Sequence, residues 1–199
     1  MKLSNLAMVK SGYHSRGRVE PREEGSHFLL QARDVDSEKL TYETDTLIRF
    51  NPDLSRTDGT LKKSDILFMA RGSRNYSVLL GEMPDLTLAA ACFFIVRVSD
   101  EKLLPAYLCW YLNQPPVEHY LVRHSGRGVH MPVVRRSVLE RIDIPLPNLE
   151  IQRKIVELEA LRKEEEELTN LLAEKRKQLI TTSCLKLTRE SNSMEMGDE

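Results

Sequence analysis

Pro145-Leu146-Pro147-Asn148-Leu149-Glu150-Ile151-Gln152-Arg153-Lys154-Ile155-Val156 divides this 199-residue chain into two kinds of sequence. The two prolines stop whatever precedes them. Asn148 offers a side-chain oxygen to the first amides of a following helix, and Glu150 stands against the positive end of its dipole. Beyond them, Ile151, Ile155, Leu158, Leu161, Leu168, Leu172 and Leu179 recur at three- and four-residue steps and form one apolar stripe. Glu165 and Lys175 interrupt the stripe, while Glu164–Glu167 and Lys175-Arg176-Lys177 flank it. No glycine or proline intervenes, so the pattern predicts one helix over 148–187, a rod about 60 Å long. A stripe of that length needs a second helix, in its own domain or in a partner. The alternative is a helix packed in part on its own domain and otherwise solvated. Residues 188–199 are polar and read as a disordered tail.

Upstream, residues 1–147 mix short apolar runs with turn chemistry. Phe28–Leu30, Thr46–Phe50, Ile66–Met69, Tyr76–Leu80 and Cys92–Val96 read as strands. Asn51-Pro52-Asp53, Thr57-Asp58-Gly59 and Arg71-Gly72-Ser73 separate them as turns. Pro105 suits the first position of a helix running to Leu112, and Pro115-Pro116 opens a second to about Val122. Strands followed by helices predict an α+β domain, with the long helix appended to it.

Charged residues make up 30% of the chain and aromatics 6%, as suits a soluble protein with a long polar helix. The N-terminus has no apolar run after Lys2, so no signal peptide is read, and the apolar stretch Leu86–Val98 is too short to span a bilayer. Three widely spaced cysteines (Cys92, Cys109, Cys184) suggest reduced thiols in a cytoplasmic setting. Through Pro145 there are 20 Lys+Arg against 18 Asp+Glu, and from Leu146 onward 9 against 12. Global charge therefore argues little for nucleic acid, and any electrostatic case rests on local patches.

No catalytic constellation emerges. The nine glycines never take a phosphate-loop spacing. Asn113-Gln114-Pro115-Pro116 resembles an amino-methyltransferase motif only superficially, since Gln114 breaks the spacing and Val117 replaces the aromatic; a break between helices explains it better. His119, His124 and His130 are five and six residues apart, unsuited to two metal ligands on one helix face. Asp34, Asp36, Asp53, Asp58 and Asp65 are expected in turns on conformational grounds. Neither Ser125 nor Cys109 carries a nucleophile signature.

Two basic stretches stand out instead. In the first, Lys62 and Lys63 precede a strand that ends in Arg71-Gly72-Ser73-Arg74-Asn75-Tyr76. Arginine matches guanine O6 and N7 in the major groove, asparagine can pair with adenine, and Gly72 admits a close phosphate. The competing reading is an ordinary polar hairpin loop. The second holds Arg123, His124, Arg127, His130, Arg135 and Arg136, with no acid between Tyr120 and Leu139. Such a glycine-bearing basic loop suits phosphate contacts, against the alternative of a solvated connector.

In this order the pieces resemble a known family. Val133-Val134-Arg135-Arg136-Ser137-Val138-Leu139-Glu140-Arg141-Ile142-Asp143-Ile144-Pro145-Leu146-Pro147 running into Asn148–Val156 is similar to the junction between recognition domain and conserved helix in specificity subunits of Type I restriction–modification systems. Lys63–Phe68 with Arg71-Gly72, and Tyr107–Asn113, support the resemblance, which covers roughly residues 1–185. A full subunit of that family has two recognition domains and two helices; this chain has one of each and is similar to its half-length members.

The resemblance implies a DNA-recognition subunit without catalytic activity, used in phage defence. Residues 1–147 would be the target-recognition domain, and 148–187 a spacer helix pairing in an antiparallel coiled coil. It implies a homodimer on double-stranded DNA reading a bipartite inverted repeat. Partners would be a methyltransferase subunit, docked near Ile151–Leu161 and itself binding S-adenosylmethionine, and a restriction subunit where one exists. Two rivals stand beside this reading: a DNA-independent coiled-coil scaffold, and a nuclease or transferase dependent on metal or cofactor.

Overall fold

The computed structural model describes residues 1–15, 17–53, 59–124 and 133–195, with side chains through Leu187. It contains two compact units, Met1–Val156 and the remainder from Glu157. Every residue of strand β6 (Ile66–Met69) is buried. Side chains alternate across a strand, so Ile66 and Phe68 enter one hydrophobic core while Leu67 and Met69 enter another. This explains why an unbroken apolar run, with no polar alternation, reads correctly as a strand.

Around β6 the main sheet runs β1 (Ala7–Ser11), β9 (Phe93–Val98), β6, β7 (Ser77–Leu79), with every neighbouring pair antiparallel. Its register places Val9, Val96, Ile66 and Leu79 side by side. One face is covered by helices α1 (Pro105–Leu112), α2 (Pro115–His124) and α3 (Arg136–Leu139) through Leu108, Leu112, Val117, Leu121 and Leu139. Against the other face pack Leu30, Val35, Leu47, Leu61, Tyr76 and Leu80. Leu30 closes β2 (His27–Leu30), which pairs antiparallel with β5 (Ile48–Phe50) and parallel with β8 (Thr87–Ala89). A short ribbon, β3 (Val35–Asp36) with β4 (Thr41–Tyr42), completes the α+β architecture expected from sequence.

Asp65, expected in a turn for conformational reasons, is 1% exposed and carries an ion pair. Arg97 donates Nε–H and Nη2–H to its two oxygens, each at 2.6 Å, and Nη2 also to the Thr60 carbonyl. The Lys62 amide donates to the same carboxylate at 2.8 Å. That hydrogen bond from Arg97 to Asp65 raises the guanidinium further above its ordinary pKa.

The helix break expected at Asn113–Pro116 has a second task. Asn113 accepts from the Ser77 amide at 2.8 Å and donates to the Ser77 carbonyl at 2.9 Å. It thereby satisfies the outer edge of β7 as another strand would, while its second Nδ2–H reaches the Cys109 carbonyl.

Helix α4 spans Leu149–Glu195, and the Asn148 side chain accepts from the Ile151 amide as its sequence position predicts. Gln152 is fully buried: Oε1 accepts from the Leu104 amide, and Nε2 donates to the carbonyls of Lys102 and Pro147. With Ile155 and Val156 against the first core, these bonds root the helix in the domain. The expected disordered tail is corrected over 188–195, where the helix continues because nothing from Leu149 to Glu195 breaks it; residues 196–199 lie outside the described residues. Among the described residues no helix is long and apolar enough to cross a membrane, and no group of three or more His, Cys, Asp or Glu side chains could hold a metal.

Candidate nucleic-acid interface

Strand β6 ends in a hairpin loop whose backbone is held from three directions. The Ala70 and Arg71 amides donate to the Cys92 carbonyl, and the Met69 amide to the Tyr76 carbonyl. From the third side, the Val134 amide donates to the Ala70 carbonyl at 2.9 Å, and Arg71 forms an isolated antiparallel bridge with Val133. The two basic stretches, remote in sequence, therefore meet at one end of the main sheet. Arg71, Ser73 and Arg74 are exposed on or beside the loop, as are Arg135 and Arg136 just beyond the bridge.

The loop also borders α2. Ser73, Arg74 and Asn75 line a cleft of about 190 Å³ together with Asn113, Glu118 and Val122. At the last turn of α2, Arg123 and His124 are exposed and complement the negative end of the helix dipole. His124 stacks on Tyr120 with ring centroids 4.1 Å apart, and the Tyr120 hydroxyl donates to the Val138 carbonyl. The end of α2 is thus tied to α3, the helix that Arg135 precedes. No ion pair among the described residues engages Arg71, Arg74, Arg123 or Arg135. Unneutralised guanidiniums converging on one rim suit a polyanion.

Other nominated residues are buried, already engaged or placed elsewhere. Tyr76 is 5% exposed and belongs to the second core, where burial pushes its phenol up to about 12. The residue follows the loop and enters β7, so the pleat turns its ring inward. Asn75 spends its Nδ2–H on the Met69 carbonyl at 2.8 Å, which shapes the loop. Arg136 pairs with Glu140 one helical turn on, at 2.7 Å. Lys62 and Lys63 precede β6, at the opposite end of the strand from Arg71, roughly 17 Å away along the chain. Lys63 there pairs with Glu82. Arg127 and His130 lie outside the described residues. On the helix, Ile155 is half-buried against the domain core, whereas Ile151, Leu158, Leu161, Leu168, Leu172 and Leu179 are exposed.

A further basic segment, which leaves β1 at this end of the main sheet, escaped the sequence reading. The Gly12 amide donates to the Phe93 carbonyl and the Tyr13 amide to the Ala89 carbonyl, beside the Cys92 carbonyl that holds Arg71. A side chain at Gly12 would collide with the Ala90 carbonyl, so glycine alone permits this approach. The segment that follows carries His14, Arg18 and Arg22, and with Tyr13, Phe50 and Asn51 the two arginines line a second cleft. Its signal was available: His14 to Arg18 holds three basic side chains and a glycine within five residues.

Residues 56–180, more than half of the chain, match the family described as the Type I restriction modification DNA specificity domain. Among solved structures the chain is similar to the HsdS subunit from Thermoanaerobacter tengcongensis, with TM-score 0.65 and 21% identity over 89% of this chain and 45% of that one. A chain from a structure on complex assembly and conformational transition of the type I R-M system matches with TM-score 0.66 and 20% identity over the same shares. The Type-I restriction-modification S subunit from M. genitalium follows, with TM-score 0.53, 17% identity and 89% and 42% coverage. At these identities the likeness is one of fold, and the chain spans less than half the length of each structure. No curated protein matches.

Proposed function

The chain belongs to the Type I restriction–modification DNA specificity family, and from that premise we propose that it reads duplex DNA as a dimer and positions partner enzymes on it. The observation that supports this reading is the Arg71–Val133 bridge, which brings the loop bearing Arg71 and Arg74 beside the segment bearing Arg135. Arg71 and Arg74 stand on the loop between β6 and β7 and are assigned to base edges in the major groove, where arginine reads guanine. Arg123, Arg135 and the Arg18–Arg22 segment are assigned to phosphates, which fix register without reading sequence. A two-fold dimer bearing one such rim per copy would read an inverted repeat whose spacer is set by the helices.

This chain would do no chemistry itself. A methyltransferase subunit, docked near the root of α4, would bind S-adenosylmethionine and transfer its methyl group; any cleavage would belong to a restriction subunit. The test is binding of a selected duplex by the complex carrying Arg71→Ala with Arg74→Ala. Loss of preference for the selected over a scrambled duplex supports base reading. An unchanged preference would instead favour a scaffold with no recognition surface.

A further inference from the structure

The two charged interruptions of the α4 stripe, Glu165 and Lys175, stand five residues on either side of Asn170. The apolar positions share that centre. Leu168 and Leu172 are two residues away on either side, Leu161 and Leu179 nine, Leu158 and Thr182 twelve. Together they follow an unbroken alternation of three- and four-residue steps from 158 to 182, about three and a half heptads. Leu158 is 66% exposed, Leu168 59%, Leu172 51% and Leu179 68%, so nothing among the described residues covers this stripe.

Taking from the family resemblance the antiparallel pairing of α4 with a second copy, we infer that this pairing is centred on Asn170, so that Glu165 of each copy meets Lys175 of the other. This deepens the dimeric reading above and rests on it. In an antiparallel pair, residues equidistant from the centre face each other, and the first apolar position of a heptad meets the second of its partner. Every layer here obeys that rule: Leu161 meets Leu179, Leu168 meets Leu172, and both charged layers hold opposite charges. A parallel pair in register would stack Glu165 on Glu165 and Lys175 on Lys175 inside an apolar seam. Charge complementarity thus agrees with the antiparallel direction and selects the register.

The flanks agree. Glu164 comes level with Arg176 of the second copy, while the like-charged levels Glu166–Glu174 and Lys163–Lys177 fall on positions that face away from the seam. Arg162 would approach Arg176, but it already holds Glu159 at 2.8 Å and Glu166 at 2.9 Å. That cluster has one net negative charge, so a cation opposite it is welcome. What looks like two flaws in a hydrophobic stripe is a self-complementary code.

The test is sedimentation equilibrium of the full chain as wild type, Glu165→Lys, Lys175→Glu, the double exchange, and an equimolar mixture of the two single variants. Each single change creates two like-charge layers and should raise the dimer dissociation constant by at least about tenfold. The double exchange and the mixture both restore opposite charges and should dimerise as wild type does. Because a misfolded variant could not recover on mixing, the mixture separates misfolding from repulsion. A wild-type dimer that both single changes leave intact would overturn this register while the dimeric reading stands. A wild-type chain that stays monomeric would overturn that reading, and this register with it.

Discussion

Arg71 and Val133 form an antiparallel bridge, flanked by a 2.9 Å hydrogen bond from the Val134 amide to the Ala70 carbonyl. This one pairing turns two separate basic stretches into a single rim. It fixes the hairpin loop from the side that the sheet leaves open, so Arg71 and Arg74 emerge from a loop whose two ends are held by backbone hydrogen bonds.

Arg123→Ala and Arg135→Ala should weaken binding alike on selected and scrambled duplexes. The slope of log affinity against log salt should fall by about one for each phosphate that the variant no longer neutralises. Salt-dependent titration of the complex checks both. A change of sequence preference in either variant would move that residue to the base-reading group.

Lys62→Ala combined with Lys63→Ala should leave affinity within about threefold of wild type, because this end of β6 faces away from the rim and Lys63 already has Glu82 as a partner. Titration on the same duplex decides it. A weakening comparable to that of Arg71→Ala would mean that DNA follows the length of the hairpin.

These two lysines also show where sequence reading stops. Nearness along the chain grouped them with Arg71, yet a strand of four residues carries its two ends apart. Local signals did specify local structure: Pro105 opens α1 at its first turn, Asn148 caps α4, and the apolar run Ile66–Met69 is a strand. Strands β1 and β8 were not anticipated, since β1 offers only Ala7 and Val9 as inward residues and β8 lies within a longer apolar stretch. Both owe their existence to pairing with distant partners. Tyr76 has a polar tip and an apolar body, so composition could not choose between loop and core; the pleat of β7 chose. The meeting of Arg71 with Val133 is a tertiary fact that no local pattern encodes.

Tyr76→Ala should destabilise the domain by about 3–5 kcal/mol through loss of a buried ring, while Tyr76→Phe should cost far less and leave DNA affinity unchanged. The phenol also has a pH signature. Its folded pKa of about 12 lies above the ordinary 10.0, so the folded state keeps a proton that the unfolded state releases. Stability from this group is complete below pH 10 and is lost as pH rises from 10 towards 12. Thermal melts across that range should fall less steeply for Tyr76→Phe than for wild type.

Asp65→Asn should destabilise the domain by about 3 kcal/mol, because it strips Arg97 of its charged partner and leaves an amide hydrogen aimed at a guanidinium. Urea denaturation measures this. The rim lies at the other end of β6, so the folded variant should bind DNA as wild type does, and a loss of specificity would show coupling along the strand.

The decisive measurement is selection of randomised duplex DNA by the purified chain, alone and together with a Type I methyltransferase subunit. A two-part inverted repeat is expected to be enriched in the complex. No enriched sequence at low salt, with the dimer confirmed and the methyltransferase present, would contradict it.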